Sequence, residues 1–97
     1  MTITKKQNGS SASISIEGRL DTTTSPDLEK EIQSLTEAKS LTIDLANLEY
    51  ISSAGLRVLL SAHKVFAKLN GMTLINVNDS IIEIFEITGF KDILNIK

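Results

Sequence analysis

Ninety-seven residues bound this protein to a single domain, 1–97, too short to hold a deep active-site cavity with a complete core around it. Its 41% hydrophobic and 23% charged residues are the balance of a globular domain, and ten basic against twelve acidic residues with no Lys/Arg-rich block exclude a nucleic-acid footprint. The lack of cysteine excludes disulfides, thiolate nucleophiles and all-cysteine zinc sites. No apolar run approaches the ~18 residues of a membrane span and the N-terminus lacks a signal peptide's apolar core, so the expectation is a cytoplasmic protein that works through its surface and engages no membrane.

Along the chain, "TITKKQ" and "SASISIEG" are alternating segments joined at Asn8-Gly9, a hairpin signal because both residues tolerate positive φ. Ala12, Ile14 and Ile16 share one face of the second segment, and Ser11, Ser13, Ser15 and Glu17 share the other, which predicts a sheet with one wet face. Ser25-Pro26 reads as an N-cap followed by a proline at the first helical position, with Leu28, Ile32 and Leu35 giving an apolar stripe to about Ala38. "LTIDL" at 41–45 is a short alternating strand. A helix then runs from about Ser53 to Leu69 and stops at Asn70-Gly71, "MTLINV" is a strand, Asn78-Asp79-Ser80 opens a helix closed by Gly89, and "DILNI" at 92–96 is a last strand.

The order β-β-α-β-α-β-α-β predicts an α/β domain: right-handed crossovers, a mixed sheet of four or five strands, and helices mainly on one face. No repeat or low-complexity linker interrupts it.

Enzymatic chemistry finds little support. A nucleophile elbow needs glycine two residues before and two after its serine. Ser53 has Ile51 before it and Ser52 has Tyr50 and Ala54 around it. A Ser-x-x-Lys pattern fails as well. The one histidine, His63, lies roughly 15 Å along the same predicted helix from Ser53 at 1.5 Å per residue, too far to act as its base. It falls on the core stripe Leu56, Leu59, Leu60, His63, Phe66, and reads as a half-buried histidine bonded to a neighbour. Carboxylates at no ligand spacing give no metal site, and isolated glycines give no phosphate loop, so no metal and no cofactor are expected.

What remains is "YISSAGLRVLL" at 50–60, a strand-to-helix junction with the smallest side chains of the region and two hydroxyls. Read alone, Ser52 or Ser53 is a helix N-cap, Asp21 a turn carboxylate bonding nearby N–H groups, and Arg57 a solvated helix residue. Small residues at 52–55 also leave room for a partner to approach, and Leu56 and Val58 on the first helical turn are candidates for that contact.

The segment "LTIDLANLEYISSAGLRVLL", preceded by "GRLD" at 18–21 and followed by "IIEIFEITGFKDIL" at 81–94, resembles the STAS-domain anti-sigma factor antagonists of bacteria over essentially the whole chain. The resemblance implies a non-enzymatic regulator that binds an anti-sigma factor which is also a serine kinase, frees the sigma factor, and is switched off when that kinase phosphorylates it. Kinase, ATP and Mg²⁺ belong to the partner, and a phosphatase would reset the switch. The implied phosphoacceptor, two residues before the Gly-Leu pair that enters the helix, is Ser53, with Ser52 the less favoured neighbour. The implied partner surface is Asp21, Thr22, Ser52, Ser53, Ala54, Gly55, Leu56 and Arg57. Many members carry Asp before the acceptor and a hydroxyl residue after it, where this chain has Ser52 and Ala54. The alternative is a STAS-like scaffold or sensory module that self-assembles or binds a small ligand.

Overall fold

The computed structural model describes residues 1–97 and has four strands in one sheet, ordered as in the chain: β1 (Thr2–Asn8), β2 (Ser11–Leu20), β3 (Ser40–Ile51) and β4 (Met72–Ile75). β1 pairs antiparallel with β2, and β2–β3 and β3–β4 are parallel. Helices α1 (Ser25–Gln33), α2 (Ser53–Ala67) and α3 (Asp79–Thr88) supply the crossovers. The hairpin turn sits one residue later than the sequence suggests. Asn8 pairs with Ser11, leaving Gly9-Ser10 as the loop with Gly9 at φ 63°, as a turn with glycine first requires.

One sheet face is dry and the other wet. Ile14, Ile16, Ile43, Leu45, Met72 and Leu74 are buried within a single cluster of 22 apolar residues to which all three helices contribute, while Ser13, Ser15 and Glu17 are exposed on the opposite face. The 22 include Leu20, Leu28, Ile81 and Phe85, each wholly buried.

β3 is much longer than "LTIDL". Its buried residues fall at Leu41, Ile43 and Leu45, then at Leu48 and Ile51, so the spacing changes from two to three. The cause is a pair of register shifts against β2, between Ser15 and Glu17 and between Gly18 and Arg19, each placing an extra residue in β3. Alternation ends at Leu45 but the strand does not. The Asp44 carboxylate accepts the Ala46 N–H at 2.9 Å and stabilises the first irregularity.

Four other expectations change. The helix-start serine is not the cap: Thr24 occupies that position, Ser25 opens the helix, and Pro26 stands one residue further in. "DILNI" reduces to a single parallel bridge, Leu74 with Ile96, after a short 3-10 turn at Phe90–Asp92, because burying Leu94 commits this segment to closing the core rather than extending the sheet. Leu56 and Val58 are core residues, 5% and 7% exposed, and only Val58 reaches the edge of a surface groove, the one between α1 and α2. His63 is half-buried as expected, but its Nδ1 has no hydrogen-bond partner.

The tightest contact places α2. A Cβ at Gly55 would lie 2.8 Å from Leu20 Cγ and 2.9 Å from Ile51 Cγ1, closer than packed carbons tolerate. Gly55→Ala is therefore expected to destabilise the domain. Its helix-propensity gain of about 1 kcal/mol is outweighed by an overpacking cost of about 1–3 kcal/mol, since Leu20 and Ile51 are fixed in the core. Urea unfolding measures the net sign, and a variant more stable than wild type would contradict this packing.

Candidate functional site

Parallel β2 and β3 end side by side, Leu20 opposite Ile51. The Ser52 N–H donates to the Leu20 carbonyl at 2.9 Å, so the loop that follows β2 and the loop that enters α2 are tied at their first residues. The ends of parallel strands are where α/β sheets expose helix N-termini and loops for binding.

Ser52 is the N-cap of α2, with extended backbone (φ −95°, ψ 175°) and a hydroxyl that accepts the Gly55 N–H over a long 3.4 Å. It is half-buried. Ser53 is the first residue of the helix and is exposed. The two serines therefore differ in kind: one hydroxyl faces back into the helix end, the other stands free where the unpaired N–H groups and positive end of the helix dipole converge. Ala54 is half-buried, Gly55 and Leu56 lie beneath the surface, and Arg57 is exposed one turn on. Of the expected contact residues, Gly55 and Leu56 thus set the height of the loop and do not form its outer face. Thr22, Ala54 and Arg57 come together with Ser25, Pro26 and Glu29 around an open groove of about 350 Å³ between the starts of α1 and α2.

Asp21 organises the opposite wall. Its Oδ1 accepts the N–H groups of Thr23 at 3.0 Å and Thr24 at 3.1 Å. The Thr24 hydroxyl accepts the Asp21 N–H at 2.9 Å and donates to the Arg19 carbonyl at 2.7 Å. Its hydroxyl is consumed by these bonds, which is why Thr24 makes no side-chain cap at α1. The Ser25 hydroxyl donates to the Asp21 carbonyl and is the only buried polar side chain in the domain. Donation from the Thr24 backbone N–H above all, with that from the Thr23 N–H and the Arg19 charge, outweighs the opposing effect of desolvation and holds the Asp21 carboxyl below the usual carboxylate range. The turn-carboxylate reading of Asp21 is thereby met.

Sequence reasoning missed Arg19 and Tyr50 altogether. They pair across β2 and β3, and the Arg19 guanidinium lies 4.3 Å from the centre of the Tyr50 ring. Their register is set by the β3 irregularities, which no local pattern reveals. No three His, Cys, Asp or Glu side chains cluster as metal ligands. No helix is long and apolar enough to cross a membrane.

A family model described as the STAS domain matches residues 2–97. The chain is 34% identical over 93 residues to an anti-sigma-B factor antagonist of Bacillus subtilis, covering 94% of this chain and 85% of that protein. An anti-sigma factor antagonist from Mycobacterium paratuberculosis superposes with a TM-score of 0.87 at 23% identity, over 98% of this chain and 83% of that one. The anti-sigma factor antagonist SpoIIAA, in its unphosphorylated form, superposes at 0.83 with 14% identity, over 99% of this chain and 88% of that one. Phosphorylated Bacillus SpoIIAA gives 0.76 at 14% identity, over 99% and 91%. The solved structures share the fold.

Because its carboxyl titrates lower folded than unfolded, Asp21 stabilises the domain fully above the ordinary carboxylate range, near pH 3.9, and that contribution is lost as pH falls through the lowered folded value. Asp21→Asn is expected to be less stable than wild type at pH 7, with the gap closing toward pH 3. Urea midpoints across that range measure it, and a gap that widens in acid would overturn the assignment.

Proposed function

The chain belongs to the STAS-domain anti-sigma factor antagonist family, and from that premise we propose that it binds an anti-sigma factor with serine kinase activity, thereby releasing a sigma factor, and that phosphorylation of Ser53 ends the binding. It acts in the cytoplasm as substrate and ligand, with ATP and Mg²⁺ carried by the kinase and a phosphatase restoring the free serine. The observation that carries the reading is the difference between the two hydroxyls: Ser52 is turned in as a cap while Ser53 is exposed at the first helical position.

Physically, the switch acts on the complex and spares the fold. A phosphate adds about −1.5 to −2 charges at pH 7. At a helix N-terminus an anion is stabilised by the dipole and unpaired N–H groups, so the isolated domain tolerates it. In a partner interface the same group is a bulky charge without a counterion, and a desolvated unpaired charge costs several kcal/mol. Since 1.4 kcal/mol is tenfold in affinity, one phosphate suffices to dissociate the pair. Ser52 in place of the family's Asp leaves the capping role intact, as Ser and Asp are comparable N-caps, and takes one negative charge away from the loop.

The rigid floor supports this role. Gly55, Leu20 and Ile51 fix the loop from below, and the Asp21 bonds fix its neighbour, so a partner meets Asp21, Thr22, Ser52, Ser53, Ala54 and Arg57 as one preformed surface with little ordering left to pay for.

Three variants test the reading together. Ser53→Ala is expected to keep partner binding and lose phosphorylation. Ser53→Asp is expected to weaken binding while melting within a few degrees of wild type. Ser52→Ala is expected to remain a kinase substrate with stability lowered by about 1 kcal/mol, the typical value of a cap. A kinase assay with the anti-sigma factor of the host, a binding titration and thermal unfolding read all three. Phosphorylation that survives Ser53→Ala and disappears in Ser52→Ala would move the acceptor by one residue, and phosphorylation indifferent to both would end the switch.

A further inference from the structure

Arg19 and Tyr50 stand on the wet side of the strand ends, one residue before Leu20 and Ile51, with side chains that do nothing for the core. Two contacts nonetheless hold the guanidinium in place. Its Cζ lies over the Tyr50 ring, 4.3 Å from the centroid, and its Nε is 4.0 Å from Asp21 Oδ2, the carboxylate oxygen not used by Thr23 and Thr24. The Arg19 side chain remains 60% exposed, so neither contact contributes much to stability. Both leave the terminal nitrogens, Nη1 and Nη2, unengaged, and that pair is the planar fork that donates two parallel hydrogen bonds to a carboxylate.

The register of β3 makes this fork available. Gly18 faces Leu48, and continued in step the next pair would be Arg19 with Glu49, whose carboxylate would neutralise the guanidinium. The extra residue in β3 puts Tyr50 there instead, exchanging a counterion for a supporting ring. An arginine braced on an aromatic side chain, three residues from Ser53 and beside Asp21, has the residue types and pre-ordering of a binding anchor.

We propose that Arg19, clamped between the Tyr50 ring and the Asp21 carboxylate, is a second anchor of the partner surface and takes a carboxylate side chain of the anti-sigma factor in a two-pronged hydrogen bond. The inference rests on the antagonist reading of the chain. It extends the interface from the serine loop around the strand ends onto the wet face of the sheet, and it makes Arg19 a determinant of which anti-sigma factor is bound.

The test is calorimetric titration of nucleotide-free anti-sigma factor kinase from the chain's own host with wild type, Arg19→Ala, Arg19→Lys and Tyr50→Leu. Arg19→Ala is expected to weaken binding roughly tenfold, and Arg19→Lys nearly as much because a point charge cannot make the fork. Tyr50→Leu, which removes the brace and keeps the guanidinium, should weaken it several-fold. Thermal unfolding of all three should stay near wild type, and the kinase should show a raised KM with kcat unchanged. Arg19→Lys binding as wild type does would reduce the site to a bare charge and overturn the fork, and Arg19→Ala binding as wild type does would remove the anchor. A loss seen only when ATP is present would assign the fork to a nucleotide phosphate and overturn the carboxylate. If wild type itself binds no anti-sigma factor, the antagonist reading falls and this proposal falls with it.

Discussion

The contact of the first turn of α2 with the ends of β2 and β3 governs the rest of the site. At residue 55 the helix approaches Leu20 and Ile51 so closely that hydrogen is the largest substituent that fits. That approach lets the Ser52 N–H reach the Leu20 carbonyl, ties the two loops together, and leaves Ser53 on the outside of the junction. The small side chains at this junction thus serve two ends. Glycine is there for the protein's own packing, while the serines and Ala54 keep the outer surface low.

On that floor the loop after β2 is held by polar bonds. Asp21 satisfies two backbone N–H groups with one oxygen and faces Arg19 with the other. The same carboxylate is thus a structural turn and, on the proposed reading, one wall of the partner surface, so substitutions there are expected to change stability and binding together. Ser53 differs, since its exposed hydroxyl carries no comparable burden, which leaves the proposed modification free to act on the complex alone.

The architecture was legible in the sequence wherever periodicity is local. Alternation in β2, the capping asparagine at Asn78 and the left-handed Gly89 marked their elements correctly, and Asn78 indeed accepts the Ile81 N–H at 3.0 Å. Legibility failed where a distant partner sets the geometry. β3 outran its predicted end because bulges against β2 changed the burial spacing, and the terminal strand shrank to one bridge because Leu94 is drawn into the core. At the site, three motifs in order located the serines, Asp21 and the helix start. The periodic stripe already marked Leu56 as core, whereas the burial of Val58 and the pairing of Arg19 with Tyr50 were invisible, the latter because it depends on register.

A rigid platform with one free hydroxyl is a physical design for a switch that changes affinity and leaves the fold alone. Such a switch requires that the free chain be modified at Ser53 and the bound chain not. Phosphopeptide mass spectrometry on the protein from its own host, separated into fractions with and without the anti-sigma factor, tests this most directly. Phosphate on Ser53 is expected only in the unbound fraction. Phosphate on Ser52, or phosphorylated Ser53 in stable complex with the anti-sigma factor, would contradict it.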